Sequence, residues 1–279
     1  MCVLIRIVSL ALAGTVAFAA TTLADDSLER AKKNGVTFGF SNEPPYAYLS
    51  PEGKPAGTSA EIVIAIFKRM GVTEVRPVLT EWASLIPGLK ARRFDIATPM
   101  FILPSRCREV AFSNPISKSE AAMLVKKGNP KKIQSYEDAA RNKNVTVAVM
   151  SGAAEQAYAR KAGIPDHRIL PLQDPGALLS AVKSGRADAA AVSPGSAKSM
   201  AEKGSGDVEE ARPFSSAPWA ISYSAPPFRK EDEALLKAFN KALSEFVGSA
   251  EHRAIIATIG RGEEVLPGNV NSEELCKSD

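Results

Sequence analysis

Apolar and polar residues follow two periods in turn along most of the chain. Val36–Phe40 and Val75–Leu79 are short, strand-length runs rich in apolar and β-branched residues, and 94–98 is a third. Between the first two, the spacing predicts a helix over 59–70, with Ser59 as N-cap and Gly71 as stop. Ile62, Ile66 and Arg69 fall on its packed face. A turn is expected at 50–53 and a second helix over 85–91. The pattern then restarts. Residues 145–149, Ile169–Leu172 and 188–192 read as strands, and 153–162 and 176–184 as helices. The last stretch, 231–246 and 251–259, is helical in period. Strands alternating with helices argue for parallel βαβ units, so the expected class is α/β: two units of roughly 100 residues each, plus a helical tail.

The first 24 residues obey another pattern. Arg6 precedes an apolar run over 7–20, small residues lead to Ala24, and Asp25-Asp26 open a polar chain. That order is the order of a secretory signal peptide. The apolar run is about 14 residues, short of the about 20 that a membrane span needs. The expectation is an exported mature chain that starts near residue 25, most simply in a bacterial periplasm.

Composition removes several function classes. The chain has 279 residues, 35 Lys and Arg against 31 Asp and Glu, and a formal charge of +4. The excess is weak and interleaved with acidic residues, so no nucleic-acid partner is expected. A hydrophobic fraction of 45% with low net charge argues against disorder. Two histidines and three cysteines without close spacing leave no metal site and no cofactor in view. No Ser-His-Asp constellation is evident, and His167 and His252 read as surface positions. Loss of the first 24 residues removes Cys2 and leaves Cys107 and Cys276. In an oxidising compartment that pair is a disulfide candidate, with two free thiols as the alternative, since sequence alone does not give distance. A bond closing so long a loop carries an upper chain-entropy figure of roughly 4–5 kcal/mol.

Ligands in open α/β folds bind beyond the carboxyl ends of the strands. The loop after the first strand carries Glu43 and Tyr46 around the stiffening pair Pro44-Pro45. Trp82 follows the second strand; Phe101 and Arg106 follow the third; Ser151 and Gly152 follow the fourth; Ser193 follows the last. Three aromatics on three loops, from a total of 2 Trp, 5 Tyr and 11 Phe, suit an organic cation, each contact being worth about 0.5–2 kcal/mol. Core packing is the competing role for each ring, and an exposed loop position for Glu43. Arg106 offers a guanidinium fork to a carboxylate. Ser151 and Gly152 open a predicted helix, a second place for an anion. Together these residues describe a zwitterion site, with the carboxylate between Arg106 and the helix start and the cation between Glu43 and the rings.

These residues carry a family resemblance. Phe40-Ser-Asn-Glu-Pro-Pro-Tyr46, Gly53-Lys-Pro-Ala-Gly57, Glu81-Trp-Ala-Ser-Leu-Ile-Pro-Gly-Leu89, Pro104-Ser-Arg106, Val110-Ala-Phe-Ser-Asn-Pro115, Ser151-Gly152 and Gly185-Arg-Ala-Asp188 run in family order. The chain resembles a periplasmic solute-binding protein of the polar amino-acid family. That resemblance implies a type II two-lobed fold, each lobe an open sheet flanked by helices, joined by a two-segment hinge. Residues 25–117 and 222–279 would form lobe 1 and residues 118–221 lobe 2. It further implies a monomer that captures its ligand by closing and then docks on an inner-membrane ABC permease. Arg106 matches the arginine that grips the ligand α-carboxylate, and Ser151 and Gly152 match the loop that completes the grip. Ser193 stands where members that bind ordinary amino acids place an aspartate for the α-ammonium, and Ala153-Ala154 stand where many have threonines.

More closely, the chain resembles the ectoine- and hydroxyectoine-binding members. The matching pieces are Asn42-Glu43, Ser84-Leu-Ile-Pro-Gly-Leu89, Arg106-Cys107, Phe112-Ser-Asn-Pro115 and Phe228-Arg-Lys-Glu-Asp-Glu-Ala-Leu235. The resemblance places Glu43, Tyr46, Trp82 and Phe101 around a ring-delocalised cation, and through Glu274-Leu-Cys276 it supports the Cys107–Cys276 bond. Ala97-Thr-Pro-Met100 departs from a segment that usually contains glycine. The alternatives are a polar or cationic amino-acid-binding protein of the same family, or a periplasmic cyclohexadienyl dehydratase on the same fold with Glu43 as acid or base.

Overall fold

The computed structural model describes residues 25–277. The expected signal peptide, residues 1–24, lies outside the described residues.

Val36–Phe40 forms the centre of a parallel sheet between Val75–Leu79 and Ile96–Ala97, with Val36 opposite Val75 and Phe38 opposite Ile96. Phe38 and Phe40 stack with ring centroids 5.3 Å apart and join a core under the helices Thr58–Arg69 and Glu233–Phe246, which meet through Phe67 and Phe239. Of the predicted face, Ile62 and Ile66 are buried. Arg69 lies at its edge, 4.8 Å over the Phe246 ring and paired with Glu251 at 2.6 Å.

A second sheet has five strands in the order Ile169–Leu172, Val147–Met150, Ala189–Val192, Ala122–Lys126, Val208–Glu210. The first three are parallel and the joins to and from Ala122–Lys126 antiparallel. Both faces are covered. Val147 and Val149 pack with Tyr136 and Tyr158, whereas Ala148 and Met150 pack with Leu178 and Val182. Burial on both faces is why these strands read as unbroken apolar runs rather than alternating ones.

The chain passes from the first sheet to the second and back along paired strands. Ser117–Ser119 lies antiparallel to Ser222–Ala225, with Ser222 opposite Ser119 and Ser224 opposite Ser117. Met100–Phe101 pairs with the other edge of Ser222–Ala225, and so ties Phe101 to this crossover.

Several expectations shift. The strand expected over 94–98 is confined to Ile96–Ala97. Ser59 is not an N-cap: the helix starts at Thr58 after Gly57, and Ser59 is buried in its first turn. His252 is also not a surface residue. It is buried against Phe246, and its Nδ1 accepts a bond from the Gly248 amide at 3.1 Å, while His167 is exposed. Ala122–Lys126 and the helix Pro194–Lys203 were not anticipated. The first is an antiparallel strand in a pattern read as wholly parallel, and the second is poor in large apolar residues.

Cys107 and Cys276 form a disulfide with Cα atoms 5.7 Å apart. The bond fastens the C-terminal helix Ser272–Lys277 beside the helix Pro104–Cys107 that carries Arg106.

Candidate binding site

The loop after the first strand is a tight turn. Glu43 and Ala47 exchange backbone bonds of 2.7 and 3.1 Å, and the Tyr46 amide donates to Glu43 O at 2.9 Å. The Pro45 and Tyr46 carbonyls then accept the amides of Thr58 and Ser59, at 3.1 and 2.9 Å. Backbone carbonyls thus satisfy the helix start that a side-chain cap would otherwise serve. Gly57 permits this approach, because a Cβ there would lie 2.6 Å from Tyr46 O. Glu43 and Tyr46 are held by a helix start, not by the strand alone.

Opposite them stands the start of the helix Pro194–Lys203. Ser193 is its N-cap, accepting the Ser196 amide at 3.4 Å. Ser193 Oγ lies 3.0 Å from Tyr46 Oη and 3.1 Å from Ser196 Oγ, and Ser196 Oγ donates to Glu43 Oε1 at 3.4 Å. Loops from the two sheets are therefore joined through Tyr46, Ser193, Ser196 and Glu43. Gly195 lets them meet, since a Cβ there would sit 2.9 Å from Tyr46 Cζ and closer still to its Oη.

Arg106 is buried and bridges the same two parts of the molecule. Its Nη1 donates to Phe101 O at 2.7 Å and its Nη2 to Gly152 O at 3.0 Å. The guanidinium also lies 5.9 Å from the centre of the Trp82 ring.

Glu43, Tyr46, Trp82, Phe101 and Ser193 line one cavity. Arg106 stands beside it, held to Phe101. Ser151 and Gly152 do not form its wall. The Ser151 amide donates to Leu172 O at 2.8 Å, and Gly152 presents its carbonyl, not its amide, to Arg106. Of the three rings, Trp82 also packs against the cores of both sheets and Phe101 against that of the second.

Among the cavity-lining residues that sequence reasoning missed are Ser196 and Glu155. Glu155 is in the first turn of the helix Ala154–Lys161 and lines the cavity. Its signal was present in the sequence, immediately after Ala153-Ala154. Ser196 stands three residues after Ser193 in the spacing of a capped helix start with proline at its first position.

Burial dominates the electrostatics. It pushes the Glu43 carboxyl up to about 8, helped by repulsion from Glu155 and opposed by the Ser196 bond and by Arg106. Burial also raises Glu155, while nearby Arg106 acts the other way. The Arg106 guanidinium is lowered by the same desolvation. Burial thus favours the protonated form of Glu43, which an arriving cation would ionise. Among the described residues no group of three or more His, Cys, Asp or Glu side chains is placed to hold a metal ion.

Residues 36–259 match the model of the bacterial extracellular solute-binding proteins, family 3. The chain belongs to that family. A probable amino-acid ABC transporter periplasmic-binding protein, y4tE, of Sinorhizobium fredii (strain NBRC 101917 / NGR234) is 34% identical to it, over 98% of this chain and 93% of the relative. The lysine/arginine/ornithine-binding periplasmic protein of Escherichia coli (strain K12) is 29% identical over 72% of this chain and 77% of its own. Among solved structures, EhuB in complex with hydroxyectoine superposes with a TM-score of 0.83 at 32% identity, covering 91% of this chain and 99% of EhuB. The type II binding-protein fold expected from the sequence is therefore the fold of this family 3 protein. Among the described residues no helix is long and apolar enough to cross a membrane.

Proposed function

We propose that this family 3 protein captures ectoine, hydroxyectoine or a similar small zwitterion in the periplasm and delivers it to an inner-membrane ABC permease. Residues 25–117 with 222–279 act as lobe 1 and residues 118–221 as lobe 2. The paired strands Ser117–Ser119 and Ser222–Ala225 serve as the hinge. The protein works as a monomer, exported by its first 24 residues.

The observation that carries this reading is the meeting of Glu43 and the rings of Tyr46, Trp82 and Phe101 on one cavity beside the buried guanidinium of Arg106. A delocalised cation sits between the rings and Glu43. The carboxylate takes the Arg106 fork once the ligand displaces it from the Phe101 and Gly152 carbonyls. Ser193 and the segment Ser151-Gly152 close from lobe 2. Binding contacts complete only when both lobes engage, so the ligand shifts the population to the closed form. Similarity to the EhuB–hydroxyectoine complex supports the ligand class.

Calorimetric titration with ectoine, hydroxyectoine, glycine betaine and the standard amino acids tests the reading. Ectoine or hydroxyectoine heat is the expected result. Tight binding of an ordinary α-amino acid with no ectoine heat sinks it. Turnover of prephenate or arogenate would replace binding with the dehydratase alternative. A second reading, capture of a cationic amino acid, is favoured by the second carboxylate, Glu155, and by similarity to the lysine/arginine/ornithine-binding protein.

A further inference from the structure

The cavity holds one carboxylate more than an ordinary zwitterion needs. Glu43 comes from the loop beyond the first sheet, and Glu155 from a helix that packs on the second. Among the described residues, no ion pair within 4 Å includes Glu43, Glu155 or Arg106. Arg106 spends Nη1 and Nη2 on carbonyls. Glu43 accepts one long bond from Ser196, and the Glu155 carboxyl is met by its own backbone amide. Two acceptors with capacity to spare therefore border a space lined with aromatic rings.

We infer that Glu155 determines specificity: with Glu43 it receives a delocalised cation bearing N–H on at least two nitrogens, an amidinium or guanidinium, and selects it over a quaternary ammonium. The inference rests on the zwitterion reading above and names its cation class. An amidinium spreads its charge over two nitrogens and offers a donor on each, so each carboxylate accepts one charge-assisted bond. A quaternary ammonium offers no donor. It would stack on the rings equally well, yet leave both desolvated carboxylates without hydrogen bonds. A site built around such bonds rejects an analogue that lacks the donor far more strongly than one that differs by a methylene.

The groups facing Glu155 are Glu43, Arg106, Tyr136 and Tyr158. The negative charge of Glu155 helps to hold Glu43 in its protonated form, so replacing Glu155 must also change the pH at which Glu43 ionises.

The test titrates wild type, Glu155→Gln, Glu155→Asp and Glu43→Gln with ectoine, L-arginine and glycine betaine from pH 6 to 9, with thermal melts to verify folding. Wild type is expected to bind ectoine more than about 100-fold tighter than glycine betaine. Tight binding of L-arginine without ectoine would sink the ectoine reading while keeping the selection for N–H donors. Glu155→Gln should lose about tenfold or more for that N–H cation, and its pH midpoint should fall below that of wild type. Glu155→Asp should weaken binding but keep the wild-type midpoint, which a purely structural role would not distinguish. If Glu155→Gln binds within twofold of wild type while Glu43→Gln loses the ligand, Glu155 leaves the site and zwitterion capture still stands. Equal affinity for glycine betaine and ectoine overturns the selection for N–H donors. If wild type takes up none of the three, the zwitterion reading itself fails.

Discussion

Tyr46 Oη and Ser193 Oγ lie 3.0 Å apart, although 147 residues separate them in the chain. One belongs to the turn after the first strand of the three-stranded sheet, the other to the N-cap after a strand of the five-stranded sheet. Their contact marks where the two halves of the proposed cleft meet, and Gly195 sets how near they come.

Gly195→Ala should therefore hold the cleft open. The new methyl would collide with the Tyr46 ring, and a closed state costing about 1.4–2.7 kcal/mol more lowers affinity about 10- to 100-fold. The variant should melt like wild type, because the clash exists only on closure. Calorimetry with ectoine and small-angle scattering with and without ligand would check both points.

Arg106→Ala removes the guanidinium that the ligand carboxylate is expected to engage. Loss of a buried charge pair of this type costs about 2–5 kcal/mol, at least thirtyfold in affinity. Phe101→Ala removes one wall of the cation site and should cost about tenfold. Wild-type affinity in both variants would rule out the site.

Ligand affinity should rise with pH. Burial and Glu155 set Glu43 near pH 8, against the opposing effects of Ser196 and Arg106, and Tyr46 adjoins through Ser193. A cation binds the carboxylate form, so binding releases a proton below pH 8. The association constant should increase about tenfold per pH unit from pH 6 to 7.5 and level off above about pH 9. The sign for stability is opposite. An acid whose pKa is higher folded than unfolded favours the folded state when protonated, so the Glu43 contribution is present at low pH and is lost as pH rises through about 8. Titration in buffers of different ionisation enthalpy would count the protons, and a flat profile contradicts the assignment.

Far from the cleft, Arg229 is buried and pairs with Asp232 at 2.6 Å and Asp95 at 3.1 Å, with Nη1 donating to Phe94 O at 2.6 Å. Asp232→Ala leaves that guanidinium with a buried side unpaired and should destabilise the fold by about 3 kcal/mol in urea unfolding. Ligand affinity should stay within twofold of wild type.

Cys276→Ser opens a loop of 169 residues, for which chain entropy allows a loss of up to about 5 kcal/mol. The melting temperature should fall in the oxidised protein only. Under reducing conditions variant and wild type should coincide.

The parts of this protein legible in its residues are those that local periodicity and residue chemistry encode. Val36–Phe40, Val75–Leu79 and Ile169–Leu172 stand where their apolar runs placed them. The strand-end rule singles out Glu43, Tyr46, Trp82, Phe101 and Ser193, and all five line one cavity, because a βαβ unit leaves the loops beyond its strands free to carry chemistry. Ser59 failed as a cap for a physical reason: the carbonyls that satisfy that helix start come from Pro45 and Tyr46, a pairing no local pattern contains. Arg106 meeting the Gly152 carbonyl, Ser196 reaching Glu43, and Glu155 entering the cavity each require two sheets to be set against each other. Periodicity records which face of an element is buried; only packing decides which distant groups share that burial, and at this site shared burial brings the charges to one cavity and shifts their protonation.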